Sequence, residues 1–261
     1  MIETKGVSVS LSKKQVLSNI DMTARPGDVT VIVGPNGSGK TTLMKTLSGD
    51  LPYRGRITLN GVSLSSMKPW RMAALRAVLP QSTALAFPFT VHEIVRLGLT
   101  SGRSGALADV VANLPERALA RVDLADFGGR LYQELSGGEQ QRVQLARVLC
   151  QVWSPVLEGE PRYLFLDEPV SSLDVKHQVL IMNVARDYAR RGGGVIAVLH
   201  DLNLAALFAD RILMMHKGRI AVSGTVAEVL TETTLASIFD CRLMVGRAQS
   251  GIPFVLPQSA A

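Results

Sequence analysis

The chain has 261 residues, with 28 Lys plus Arg against 22 Asp plus Glu, 47% hydrophobic and 19% charged residues. This is the composition of a globular chain and excludes a disordered or fibrous one. No apolar run reaches the roughly 18 residues that a membrane-spanning helix requires, and the first residues lack the basic region and apolar run of a secretion signal, so a cytosolic chain is expected.

The length suits one large or two small domains that need no staple. Cys150 and Cys241 make neither a paired framework nor a CxxC motif, and no His/Cys cluster has metal-ligand spacing. Residues 1–130 carry 16 basic and 9 acidic side chains, whereas residues 131–261 carry 12 and 13. Such an excess can attract nucleic acid, an anionic membrane or a phosphorylated ligand. With no block of five like charges and only 5% aromatic residues, no stacking platform for single strands is visible. A solvated basic surface is the simpler reading.

In chain order, Gly6 to Ser10 and Val16 to Thr23 alternate like strands, and Asp28 to Val33 is a short apolar run. The glycine-rich Gly34 to Gly39 follows, then a helical stretch from Lys40 to Leu47. Arg56 to Leu59 with Asn60-Gly61 reads as strand and turn, and Ala77 to Leu79 as a buried strand. Helical patterns then cover Thr90 to Leu99, Ala106 to Val122 and Gly137 to Gln151. Beyond them come a strand at Tyr163 to Leu166, a helix at Asp174 to Arg191 and a strand at Val195 to Leu199. A helix at Leu202 to Phe208 and a strand pair at Ile212 to Met215 and Arg219 to Val222 follow. Strands alternating with helices imply a parallel sheet covered on both faces.

Gly34-Pro35-Asn36-Gly37-Ser38-Gly39-Lys40-Thr41 fits GxxxxGK[ST] between a predicted strand and a predicted helix, and Thr42, next along, is counted with the nucleotide-binding residues. Glycines let successive N–H groups turn inward around phosphate oxygens, and the helix N-terminus adds positive potential. Lys40 supplies a point charge for the outer phosphates, and the Thr41 hydroxyl suits Mg²⁺. The strand Tyr163 to Leu166 ends in Asp167-Glu168. Asp167 is placed to hold Mg²⁺, and Glu168 to orient an attacking water. Leu135-Ser136-Gly137-Gly138-Glu139-Gln140-Gln141 opens another helix, so one chain has two anion-receptive helix ends, 96 residues apart from Lys40 to Ser136.

With these motifs the chain resembles the ATP-binding cassette family, whose signature reads LSGGQ; here Glu139 replaces the commoner Gln. The resemblance covers nearly the whole chain. It implies an α/β P-loop NTPase with a RecA-like parallel-sheet core, an N-terminal antiparallel β subdomain and an inserted helical subdomain. The core with the β subdomain would occupy residues 1–84 and 152–261, and the helical subdomain residues 85–151. Subunits of the family pair head to tail and close two ATP molecules, each between the P-loop of one and the signature of the other. Ser136, Gly137, Gly138 and Glu139 would thus contact ATP held by the partner. Gln81 matches the Q-loop glutamine, which reaches Mg²⁺ and water. Asp174 matches the D-loop, and His200 the switch histidine that contacts the γ-phosphate. The family usually stacks adenine on an aromatic residue where Val9 to Lys13 offers none. Leu11 is left to supply an apolar face, and adenine discrimination is expected to weaken. Stacking contributes only about 1–3 kcal/mol per base, so phosphate contacts should still carry ATP binding.

The 53 residues between Gln81 and Leu135 include no long heptad arms of the DNA-clamping kind, and no second cassette is present. A separate membrane permease, dimeric and fed by a periplasmic binding protein, is the expected load. It would dock beside Leu85, Phe87, Pro88 and Phe89, with the chain peripheral on the cytoplasmic face of a bacterial inner membrane. Residues 77–98, Leu173 to Gln178, Leu199 to Ala206 and the loop Trp153 to Pro161 resemble importers of the iron-siderophore, cobalamin and haem group, most of all the haemin ATPases. Siderophore or cobalamin import is the alternative. An ATPase working on nucleic acid or ribosomes is the reading from another class, and no nucleic-acid partner is expected.

Overall fold

A computed structural model describes residues 1–81, 87–101 and 103–256. Its first part is a β-rich unit in which β1 (Ile2–Leu11) pairs antiparallel with β2 (Lys14–Ala24), and β3 (Val29–Val33) leads into α1 (Lys40–Leu47). Next come β4 (Arg54–Leu59), β5 (Val62–Ser63), α2 (Pro69–Leu75) and β6 (Arg76–Leu79). Four helices follow: α3 (Val91–Arg96), α4 (Ala108–Val111), α5 (Leu114–Arg121) and α6 (Gly137–Gln151). The short hairpin β7 (Val156–Leu157) and β8 (Glu160–Pro161) precedes β9 (Tyr163–Asp167), α7 (Val175–Arg190), β10 (Gly194–Val198) and α8 (Leu202–Phe208). The chain ends in β11 (Arg211–His216), β12 (Arg219–Gly224), α9 (Val226–Val229), α10 (Glu232–Phe239), β13 (Met244–Arg247) and β14 (Pro253–Leu256).

The central sheet runs β12-β11-β3-β10-β9-β6; its pairs are parallel except for β12, which lies antiparallel on the edge. A second, antiparallel sheet has the order β2-β1-β4-β5. Alternation along each central strand divides the core in two. Val29, Val31, Val33, Leu164, Leu166, Val195 and Ala197 face the helices. Ile32, Tyr163, Phe165, Ile196 and Val198 face α1 and the antiparallel sheet. Both faces of the central sheet are thus covered, which is why its strands read as continuous apolar runs.

The helix expected over Ala106 to Val122 is two helices, α4 and α5. Pro115 lies in the first turn of α5; proline lacks the N–H that a continuing helix needs and collides with the preceding turn, but it is well suited to a helix start. The stretch from Thr90 is α3, capped by the reciprocal Thr90–Glu93 pair, and it tightens into a 3₁₀ turn at Leu97–Ser101.

The β7–β8 hairpin is braced by a fully buried arginine. Arg162 donates to the carbonyls of Ala74 at 2.6 Å, Ser104 at 2.7 Å, Gln151 at 3.2 Å and Ser154 at 3.3 Å, and also to that of Arg103. One guanidinium thus satisfies backbone from α2, the end of α6 and the approach to α4. Replacing it with Met keeps the bulk but leaves those carbonyls without a donor. Arg162→Met is expected to lose about 3 kcal/mol or more in equilibrium denaturation, because each buried unsatisfied group costs about 1–3 kcal/mol.

Candidate functional site

The carboxyl ends of β3, β9 and β10 lie side by side, and the turns leaving them bring the predicted residues together. After β3 the chain turns through Gly34 at φ 147°, Gly37 at 75° and Gly39 at 103°, the last being the N-cap of α1. At Gly34 a Cβ would sit 2.2 Å from the carbonyl oxygen of Met215, so only glycine fits there. Lys40 is buried, and its Nζ donates back to the carbonyls of Gly34 at 2.8 Å and Pro35 at 3.0 Å. Burial holds its ammonium pKa below the usual lysine value, although Glu168 and Asp167 pull in the other direction. Ser38 is buried with its hydroxyl unpartnered. A glycine cradle, an inward-facing hydroxyl and a desolvated ammonium fit a polyphosphate chain.

Asp167, the last residue of β9, is 2% exposed, and the Thr41 hydroxyl donates to its Oδ1 at 3.5 Å. Burial, then the neighbouring Glu168 charge, raises its carboxyl pKa. A desolvated carboxylate beside a hydroxyl is a donor set that fits Mg²⁺. Glu168 leaves the strand in the left-handed region, at φ 52°, where a non-glycine residue is uncommon. Its Oε1 lies 2.6 Å from Nε2 of His200, and its Oε2 accepts from Nε2 of Gln81 at 2.9 Å. Gln81, Glu168 and His200, separated by up to 119 residues in sequence, therefore share one carboxylate.

The second predicted helix end is arranged differently. Ser136 caps α6 in a reciprocal box: Glu139 N–H donates to its hydroxyl at 3.3 Å, while the Glu139 carboxylate accepts from Ser136 N–H at 2.8 Å and its hydroxyl at 2.7 Å. These bonds hold the Glu139 pKa below the usual carboxylate range. Gly138 packs on the 171–174 turn, where a Cβ would meet Leu173 at 3.0 Å and the Ser172 carbonyl at 3.2 Å; a Cβ at Gly137 would meet nothing. Asp174 caps α7, accepting from the N–H of His177 at 2.9 Å. A cleft of about 370 Å³ opens between the two regions, lined by Gln81, Gly137, Gln141, Ser171 and Ser172. Another cleft, of about 590 Å³, lies by Glu3, Asp21, Arg25 and Arg211 and contains none of the predicted site residues.

Sequence reading overlooked Gln141. Its Nε2 donates to the carbonyl of Glu168 at 2.8 Å, and its Oε1 accepts from the Ser172 hydroxyl at 2.7 Å. It closes the Leu135–Gln141 stretch that the sequence marks as a helix start, but nothing in that pattern gives its amide a role. At the adenine position, Leu11 ends β1 at 37% exposure, followed by Ser12 and Lys13 in left-handed turn conformation. Leu85 lies outside the described residues. Phe87 is 69% exposed, its ring edge-on to Phe89 at 6.4 Å between centroids.

A phosphate cradle, a buried acid at a strand end and a polarised carboxylate define a P-loop nucleoside triphosphatase. The family model described as ABC transporter matches residues 17–171. The hemin import ATP-binding protein HmuV of Mesorhizobium japonicum is 65% identical over 261 residues, covering 100% of this chain and 99% of that protein. The protein of the same name from Chelativorans sp. is 60% identical with the same coverage. A solved ATP-binding subunit of an ABC transporter superposes with a TM-score of 0.78 over 92% of this chain and 96% of its own, at 22% identity, which bears on the fold alone. The chain belongs to the ABC transporter family, as a member of its ATP-binding cassettes.

Because the folded protein raises the pKa of Asp167, ionisation of this group opposes folding, and its contribution to stability declines as pH rises through the raised value. Asp167→Asn is therefore expected to melt higher than wild type at pH 7 without nucleotide, with the gap closing as pH falls through the carboxylate range. Thermal denaturation at several pH values measures this.

Proposed function

We propose that this chain is the ATP-hydrolysing subunit of a bacterial haemin importer. The observation that carries the ATPase part is the convergence of Lys40, Asp167, Glu168 and His200 at adjoining strand ends. The cargo rests on the full-length likeness to proteins named for hemin import.

In this reading the N–H groups of residues 34–39 and Lys40 bind the β and γ phosphates, with Thr42 beside them on α1. Thr41, Asp167 and Gln81 would hold Mg²⁺, which when bound draws charge from the phosphate oxygens. The Glu168 carboxylate orients a water against the γ-phosphate and takes up its proton. The water oxygen bonds to phosphorus, and the bond to the ADP oxygen breaks. His200 is half exposed beside Glu168, and in this reading it contacts the γ-phosphate. Ser136, Gly137, Gly138 and Glu139 complete the site on ATP bound by the partner, with Asp174 at the seam between subunits.

Each half of the homodimer then divides at the boundaries implied by the sequence: residues 1–84 and 152–261 form the core, and residues 85–151 the helical subdomain. ATP closes the pair and hydrolysis reopens it, moving the dimeric permease at the inner membrane. The periplasmic binding protein acts only through that permease. Exposed Phe87 supports a dock beside the Q-loop, since an aromatic ring left in water suits a protein partner.

Glu168→Gln should cut ATP turnover by at least about a hundredfold while ATP affinity changes less than about threefold. Stopped-flow hydrolysis and a binding titration measure the two. The cargo is tested by reconstituting the chain with the permease encoded beside it. ATP-driven uptake of haemin is expected, and uptake of ferric siderophore or cobalamin instead would replace the cargo.

A further inference from the structure

The residue that must aim the hydrolytic carboxylate stands on an uncommon backbone. Glu168 is at φ 52°, and such a conformation persists only where the surroundings overdetermine it. Its N–H is fixed by the Val198 carbonyl at 3.2 Å, from the end of β10. Its carbonyl accepts from Gln141 Nε2 at 2.8 Å, with longer contacts from the Ser171 hydroxyl at 3.3 Å and the Ser171 N–H at 3.4 Å.

Gln141 stands on α6, five residues after Ser136, while Glu168 belongs to the turn after β9, so this bond crosses between elements rather than closing a local turn. The other end of the same amide is occupied as well, since Oε1 accepts from Ser172 at 2.7 Å. That second bond orients the amide so that its NH₂ group faces the Glu168 carbonyl.

We infer that Gln141 is a positioning residue for hydrolysis: its amide holds the Glu168 backbone in the left-handed turn that presents the carboxylate to His200 and Gln81. In this role it acts through the Glu168 backbone. The inference rests on the role given to Glu168 above. Because α6 also carries Ser136, the helix end assigned to one triphosphate is tied by a single side chain to the carboxylate assigned to the other.

The test is steady-state ATP hydrolysis by the full chain carrying Gln141→Met, Gln141→Lys or Gln141→Glu, with Glu168→Gln alongside. Met keeps length and helix preference but donates nothing. Lys keeps a donor toward the Glu168 carbonyl, whereas Glu keeps only the acceptor toward Ser172. Met and Glu are each expected to lower kcat about tenfold with KM for ATP within about twofold of wild type, and Lys to retain more than either. Melting temperatures should stay within a few degrees of wild type, since Gln141 is only half buried. If Met destabilises the fold, the comparison of Lys with Glu decides. A Met variant with wild-type kcat, a Glu variant at or above Lys, or a KM that rises as kcat falls would overturn the inference. Wild-type hydrolysis by Glu168→Gln would instead remove the reading of Glu168 itself.

Discussion

The proposed hydrolysis depends on where one carboxylate is held. Glu168 follows the last residue of a strand buried on both faces, and its side chain is claimed by His200 on one oxygen and Gln81 on the other. A charge at 13% side-chain exposure is costly unless its oxygens are satisfied, and here both are. The satisfying groups come from the turns that follow β6 and β10, so the carboxylate stays in place only if the strand order of the central sheet is intact.

The same sheet sets the electrostatics around it. Asp167 and Lys40 are almost fully buried, with the aspartate pKa raised and the lysine pKa lowered by desolvation. Neither is bonded to the other; Lys40 spends its hydrogen bonds on the carbonyls of its own loop. A triphosphate and a divalent cation would supply the charges that each lacks. Glu139 is the opposite case: its carboxylate already fills the positive end of α6 through its bonds to Ser136. A phosphate arriving there has to compete with a resident anion, and the two helix ends of one chain differ in that respect.

Much of this was legible in the sequence, for physical reasons. The helices Lys40–Leu47, Gly137–Gln151 and Leu202–Phe208 match their expected limits because glycine, serine or aspartate punctuates each start. The break before Pro115 was overlooked because the apolar pattern runs through it, although proline in a first turn is itself a start signal. The helix at Pro69–Leu75 was missed in the same way, and the β13–β14 hairpin because its strands are four residues each. Within the site, the loop residues and Asp167-Glu168 follow from local pattern. Gln81 and His200 came from family likeness, since the contacts that unite them with Glu168 span 87 and 32 residues. Gln141 and Arg162 were invisible because a lone polar residue acquires its role only from the carbonyls that folding brings to it.

In the function proposed above, these features serve a shared pocket in which the loop of one protomer and the α6 end of another enclose a single triphosphate. The most direct measurement is a crystal structure of the Glu168→Gln protein grown with ATP and Mg²⁺. The account predicts a head-to-tail pair, with each γ-phosphate between Lys40 and Ser136 of the partner subunit and the Glu139 carboxylate displaced from that serine. Nucleotide bound by Lys40 in a protomer whose α6 end, and that of every neighbour, faces solvent would contradict it.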